Sequence, residues 1–220
     1  MVRAASIEGP ERVLEIGTGK GVVTRELCKV ATRVEAFEVD HENVLATRSL
    51  GLGGLVLHEE DAFAAPRGFD ILVSSLPYSE SSNFVDWLAK SRYGRAVVLL
   101  QRDFAQKLLA HPGDERYRAV SVISQISSEV RVIRDVPRTS FDPPPRVSSV
   151  LAMVAHKRSL SDEQIHLIKM LFSQRRRKLA SALKNLHLGL QHGNASELSL
   201  RVEGISSEQF DGILSRLTVV

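Results

Sequence analysis

Short apolar runs alternate with helix-period segments along the first two thirds of the chain. Residues 13–16, 34–39, 55–57, 69–73 and 96–100 have the length and composition of strands. Ala96-Val97-Val98-Leu99-Leu100 is apolar throughout, as a central strand covered on both faces should be. Between these runs the spacing predicts helices over residues 22–30, 41–50, 82–89 and 104–110. Residues 129–136 and 147–154 read as two more strands, separated by a Pro-rich loop at Phe141-Asp142-Pro143-Pro144-Pro145. Only a few residues and no helix join them, so that last pair is expected to be antiparallel. The expectation is an α/β fold with a mostly parallel, seven-stranded sheet covered by helices.

After His156 the strand-like runs stop. Ser161 with Gln164 forms a capping-box pattern, and Ile165, Ile168, Phe172, Leu179 and Leu183 follow at helical spacing. Ser206 with Gln209 repeats the signal before Phe210, Ile213, Leu214 and Leu217. A boundary near Lys157 is expected, with one domain over residues 1–157 and a small helical domain over residues 158–220.

Composition narrows the class. A chain of 220 residues with 43% hydrophobic and 25% charged residues suits a globular protein with one sizeable core and a small appendage. Residues 1–10 lack the apolar centre of a signal peptide, and no apolar run approaches the length of a membrane span, so the chain reads as cytoplasmic, with no membrane partner. Cys28 is the single cysteine and reads as a buried structural thiol; the seven histidines have no metal-ligand spacing, so no metal is expected. The net charge is +3, and residues 155–220 carry ten Lys/Arg against six Asp/Glu. The charge concentrates in Arg175-Arg176-Arg177-Lys178. That run fits either a phosphate-rich partner or a solvated helix face.

Four expected strand ends carry candidate chemistry. Glu15-Ile16-Gly17-Thr18-Gly19-Lys20-Gly21 follows the first strand and opens a helix, where glycines let a ligand approach the backbone closely. A dinucleotide fingerprint would need glycine at Val22, and a P-loop would need Gly-Lys-Ser/Thr. The acidic-x-Gly-x-Gly-x-Gly form instead resembles the first motif of S-adenosylmethionine-dependent methyltransferases, whose loop accommodates the amino-acid end of the cofactor. Glu38 ends the second strand, where a carboxylate can accept both hydroxyls of a ribose diol. Asp61, beyond the third, can accept a hydrogen bond from an adenine amine. Beyond the fourth lies Ser75-Leu76-Pro77-Tyr78, which alone reads either as a Pro turn with a surface Tyr or as an aromatic platform at the carboxyl end of the sheet.

Together these stretches resemble the rRNA adenine dimethyltransferases. Ser75-Leu76-Pro77-Tyr78 is similar to that family's Asn-Leu-Pro-Tyr motif. Leu100 to Ala105, Tyr117 to Ser121, Phe141 to Ser149 and the basic stretch Phe172 to Leu179 match further family motifs in order. The resemblance runs from about Val13 to Leu217 and implies a Rossmann-like class I methyltransferase sheet with a C-terminal helical RNA-docking domain. It implies S-adenosyl-L-methionine as cofactor, held by Glu15, Gly17, Gly19, Glu38, Asp61 and Ser75. It also implies dimethylation of adenine exocyclic amines in small-subunit rRNA, or a pre-30S-type particle, by a monomer.

In this reading Ser75 and the Leu76 carbonyl accept the hydrogens of the target amine, Pro77 fixes the turn, Tyr78 stacks on the base and Phe141 closes its other face. Arg175, Arg176, Arg177 and Lys178 would lie on a basic helix that binds RNA. A paired base cannot reach such a pocket, so a loop or flipped adenine is expected. A related large-subunit methyltransferase, or a non-catalytic RNA-binding assembly factor, are the alternatives.

Two departures from the family pattern carry expectations. Ser75 stands where the family usually has Asn; its shorter side chain predicts slower transfer. Family members also carry a Gln-Asn/His-Phe-Leu segment that covers the cofactor, whereas about a dozen residues precede Val13 here. Either the chain is truncated or its cofactor site is more open, and a weaker hold on the cofactor is expected in both cases.

Overall fold

The computed structural model describes residues 1–64, 68–75, 78–141 and 144–219. Its sheet comprises β1 (Val13–Ile16), β2 (Val34–Glu38), β3 (Leu55–Glu59), β4 (Ile71–Ser74), β5 (Arg95–Gln101), β6 (Ser128–Val136) and β7 (Ser149–His156), in the order β3-β2-β1-β4-β5-β7-β6. The first five strands pair in parallel, while β7 is antiparallel to both β5 and β6. This is the Rossmann-like sheet with an antiparallel final strand that the sequence implies.

Period-two alternation assigns the side chains to two apolar layers. Leu14, Ile16, Leu72, Ala96, Val98 and Leu100 face one layer; Val13, Ile71, Val73 and Val97 face the other. Every side chain of β1 and β4 is buried, as expected of strands covered on both faces. The second layer is closed by α1 (Val2–Ala5) through Ala5 and by α2 (Val22–Leu27) through Leu27. Further helices are α3 (His41–Arg48), α4 (Ser81–Lys90), α5 (Arg102–Leu109) and α6 (Ala119–Ser127).

The pattern of residues 119–127 hid α6. Ala119-Val120-Ser121-Val122-Ile123 is rich in β-branched residues, which favour strands. Here burial overrides propensity: Ser121, Val122, Ile123, Ser124 and Ile126 are all buried, and the Arg118 backbone N–H donates to Ser121 Oγ at the helix start.

Beyond His156 the structure corrects two expectations. The helix starting at Ser161 ends at α7 (Asp162–Ser173), and α8 (Leu179–Asn185) begins separately, so Arg175 to Lys178 form the turn between them rather than a basic helix. The break is held because the turn's backbone finds partners from residues 200–203. Val202 N–H donates to the Arg177 carbonyl, Glu203 N–H to the Arg175 carbonyl, and Leu179 N–H to the Leu200 carbonyl. The region is also not purely helical. Besides α9 (Ala195–Ser199) and α10 (Ser207–Leu214), β8 (Leu188–Leu190) and β9 (Leu217–Val219) pair antiparallel, with Leu217 in a strand. Three-residue strands are too short to show alternation.

The residues after Lys157 share the core of the sheet. Ile168, Leu171, Phe172, Phe210 and Ile213 belong to the same apolar cluster as Leu72, Trp87 and Ile123. Tyr117 joins the two parts: its ring meets Phe172 edge-on at 5.7 Å and its hydroxyl donates to the Ile205 carbonyl at 2.8 Å. No helix among the described residues is long and apolar enough to cross a membrane.

Candidate active site

The carboxyl ends of the parallel strands open into one cleft of about 1080 Å³, large enough for a nucleoside-sized ligand. The loop after β1 forms its floor. Gly17, Gly19 and Gly21 have φ of 77°, 52° and 75°, in the left-handed region that suits glycine. At Gly21 a Cβ would also lie 2.5 Å from Leu50 Cδ1. Gly17 packs against the backbone of Ser75, which a Cβ would approach to 3.6 Å, so the loop after β1 and the end of β4 are in contact.

Two side chains hold this loop. Glu38, at the end of β2 and 8% exposed, accepts the Gly19 backbone N–H at 2.9 Å through Oε2. Its Oε1 accepts from the backbone N–H groups of Val39 and Asp40 at 2.9 and 3.0 Å. The carboxylate is therefore fixed at the cleft wall by three donors. From α3, the wholly buried Thr47 donates to the Gly19 carbonyl at 3.1 Å and lies 3.3 Å from Thr18 Oγ1. The contact lies 28 residues away in sequence and depends on where α3 docks, so nothing local announces it.

Asp61 lines the cleft beyond β3, its Oδ1 accepting the Phe63 N–H at 2.9 Å in a tight turn that sets the carboxylate's orientation. Ser75, exposed just past β4, and Phe141, half-buried in the loop before β7, line the same cleft. Ser74 donates to the Ile16 carbonyl at 3.1 Å, fixing the end of β4 beside β1. Leu76, Pro77 and the side chain of Tyr78 lie outside the described residues; the Tyr78 backbone opens the 3-10 turn Tyr78–Glu80. Glu60, Phe63, Glu80, Leu99 and Pro145 also line the cleft, although sequence reasoning did not single them out.

Two predicted groups stand apart. Glu15 does not line the cleft: its side chain is 1% exposed, turned to the face covered by α2, and its Oε2 has no hydrogen-bond partner. Burial raises its carboxyl to about 7; the nearby Thr24 hydroxyl offsets part of that rise and the charge of Glu38 adds to it. Cys28 on the same side is half-buried, and burial together with Glu15 pushes its thiol up. The turn at Arg175 to Lys178 does not line the cleft either. Arg176, Arg177 and Lys178 are exposed, while Arg175 is half-buried with its Nη1 3.6 Å from Glu203 Oε2. Arg201 adds a fifth cation, donating to the Arg176 carbonyl at 2.9 Å.

A parallel sheet with an antiparallel final strand, a glycine loop after β1 and carboxylates beyond β2 and β3 define a Rossmann-like methyltransferase. The chain matches the Ribosomal RNA adenine dimethylase family over residues 1–217, and it belongs to that family. It is 36% identical over 197 residues to a probable ribosomal RNA small subunit methyltransferase A of Thermococcus sibiricus, covering 86% of this chain and 71% of that protein. Over 215 residues it is 32% identical to the ribosomal RNA small subunit methyltransferase A of Thermotoga neapolitana, covering 95% and 82%. The crystal structure of a dimethyladenosine transferase from Plasmodium falciparum superposes with a TM-score of 0.82 at 25% identity, over 96% of this chain and 91% of that one. A 23S rRNA methyltransferase, ErmE, shares the fold, with a TM-score of 0.65 at 23% identity over 97% and 93%.

Proposed function

We infer that this chain is an S-adenosylmethionine-dependent methyltransferase that dimethylates the exocyclic amines of adenines in small-subunit rRNA during ribosome biogenesis. The observation that carries this reading is the single cleft in which Gly17, Gly19, Glu38, Asp61, Ser75 and Phe141 meet, in a chain whose relatives are named for the small subunit. S-adenosylmethionine would supply an electrophilic methyl group on a sulfonium.

The residues present fit that cofactor. The bare backbone of the glycine loop admits a close ligand, Glu38 keeps one acceptor site on Oε2 for a ribose hydroxyl, and Asp61 has a carboxylate for the adenine amine. Ser75 and the Leu76 carbonyl accept from the target amine, whose lone pair is delocalised into its ring and needs alignment to react. Phe141, with the Tyr78 ring, sandwiches the target base. Residues 1–157 form the catalytic part and residues 158–220 the RNA-docking part, in which the turn Arg175, Arg176, Arg177 and Lys178 meets phosphates.

Purified protein should bind S-adenosylmethionine in calorimetry and transfer labelled methyl groups to small-subunit particles that lack the modification. Transfer to naked large-subunit rRNA instead would favour the large-subunit reading, and no cofactor binding would favour an assembly factor without catalysis.

A further inference from the structure

Among the described residues, five carboxylates line the cleft, Glu38, Asp40, Glu60, Asp61 and Glu80, and Lys20 is the cation. Four of them belong to the β2 and β3 side. Glu38 ends β2, Asp40 caps α3 by accepting the Asn43 N–H at 3.0 Å, and Glu60 and Asp61 follow β3. These face the half of the cleft assigned to the cofactor. Glu80 alone comes from the segment after β4, the segment that also carries Ser75, on the side completed by Leu99 of β5 and by Phe141 and Pro145. It is therefore the one lining carboxylate, among the described residues, on the target-base half.

Its geometry suits an acceptor. The 3-10 turn Tyr78–Glu80 presents it at the N-cap position of α4, a ten-residue helix. Asn83 Nδ2 donates to its Oε2 at 3.0 Å and limits its rotamers. It is half-buried at the cleft wall. Ser75 offers a single hydroxyl on the shortest of polar side chains, whereas an amine that must be methylated twice presents two hydrogens.

We propose that Glu80 is a catalytic residue of this site: its carboxylate accepts a hydrogen of the target amine and takes the proton that the amine sheds. The proposal rests on the methyltransferase reading. As the nitrogen–methyl bond forms, the sulfur–methyl bond breaks with its electron pair left on sulfur, and the nitrogen becomes cationic. The nitrogen then gives one proton to Glu80, which becomes the neutral acid and passes it to water before the second transfer. An ionised carboxylate beside that developing charge also stabilises it, in a way that the hydroxyl of Ser75 cannot.

The test is single-turnover methyl transfer to small-subunit particles by the full chain, with wild type, Glu80→Asp, Glu80→Gln and the double variant Glu80→Gln with Ser75→Asn. S-adenosylmethionine affinity is measured by calorimetry for each. Glu80→Gln should slow transfer by about 10- to 100-fold and leave cofactor affinity within about twofold, whereas Glu80→Asp, which keeps a carboxylate, should retain most of the rate. Adding Ser75→Asn, which supplies a longer amide acceptor, should recover part of the rate. A Glu80→Gln enzyme with the wild-type rate overturns the proposal, as does a loss of rate that only follows a loss of cofactor affinity. Absence of transfer by wild type overturns the underlying reading, and is recognised before any substitution is made.

Discussion

Glu38 Oε2 accepts the backbone N–H of Gly19 at 2.9 Å, so the end of β2 and the loop after β1 are one unit. The residue proposed to hold the cofactor's ribose also sets the shape of the loop beside it. Glu38→Ala removes both functions. We expect cofactor affinity to fall by at least about 10-fold, the size of a lost hydrogen-bonded charge, and the thermal midpoint to drop as three backbone donors lose their acceptor. Calorimetry and thermal unfolding of the same variant check both.

Glu15 makes the stability of the chain depend on pH. Burial raises its carboxyl from 4.5 to about 7, so the folded chain holds this proton more tightly than the unfolded chain. Its contribution is fully present below pH 4.5 and is lost as pH rises through about 7. The full cost of ionising it in place is on the order of 3 kcal/mol. Glu15→Gln keeps the shape and removes the titration. Denaturant midpoints measured across that window should fall with pH more steeply for wild type than for the variant; parallel curves would contradict this account.

Tyr117 links the sheet to the C-terminal helices through its hydroxyl on the Ile205 carbonyl. The side chain is 1% exposed, so Tyr117→Phe leaves a buried carbonyl without that donor. A loss of about 1–3 kcal/mol is expected from urea unfolding, with the ring packing on Phe172 retained.

The turn between α7 and α8 should carry much of the salt dependence of particle binding. Changing exposed Arg176, Arg177 and Lys178 to Gln should make the slope of log affinity against log salt shallower by roughly two to three. Arg175, close to Glu203, should contribute less when replaced alone. An unchanged slope would return this run to a merely solvated turn.

Much of the fold was legible because strong periodicity survives tertiary context. Val13–Ile16 is the strand that its apolar run predicts, and the short loop before residue 147 correctly implied an antiparallel pair. What was hidden depended on distant partners. The β-branched run of α6 becomes helical because the core buries it, and the break after Ser173 appears only where residues 200–203 come back to pair with the turn. In the site, Gly17, Gly19, Glu38, Asp61, Ser75 and Phe141 come together as their places at strand ends suggest. Glu15 sits in the same motif, but the two-residue period of β1 turns it to the opposite side, under α2. Glu80 was missed because the turn after Tyr78, which places it at the cleft wall, leaves no apolar pattern.

The central claim is dimethylation of adenine in the small subunit. Nucleoside mass spectrometry of rRNA from unmodified small-subunit particles, incubated with the chain and S-adenosylmethionine, measures it directly. The account predicts N6,N6-dimethyladenosine in small-subunit rRNA, formed more slowly by Glu38→Ala at limiting S-adenosylmethionine. Its absence under conditions where the protein binds cofactor, or its appearance only in large-subunit rRNA, would contradict it.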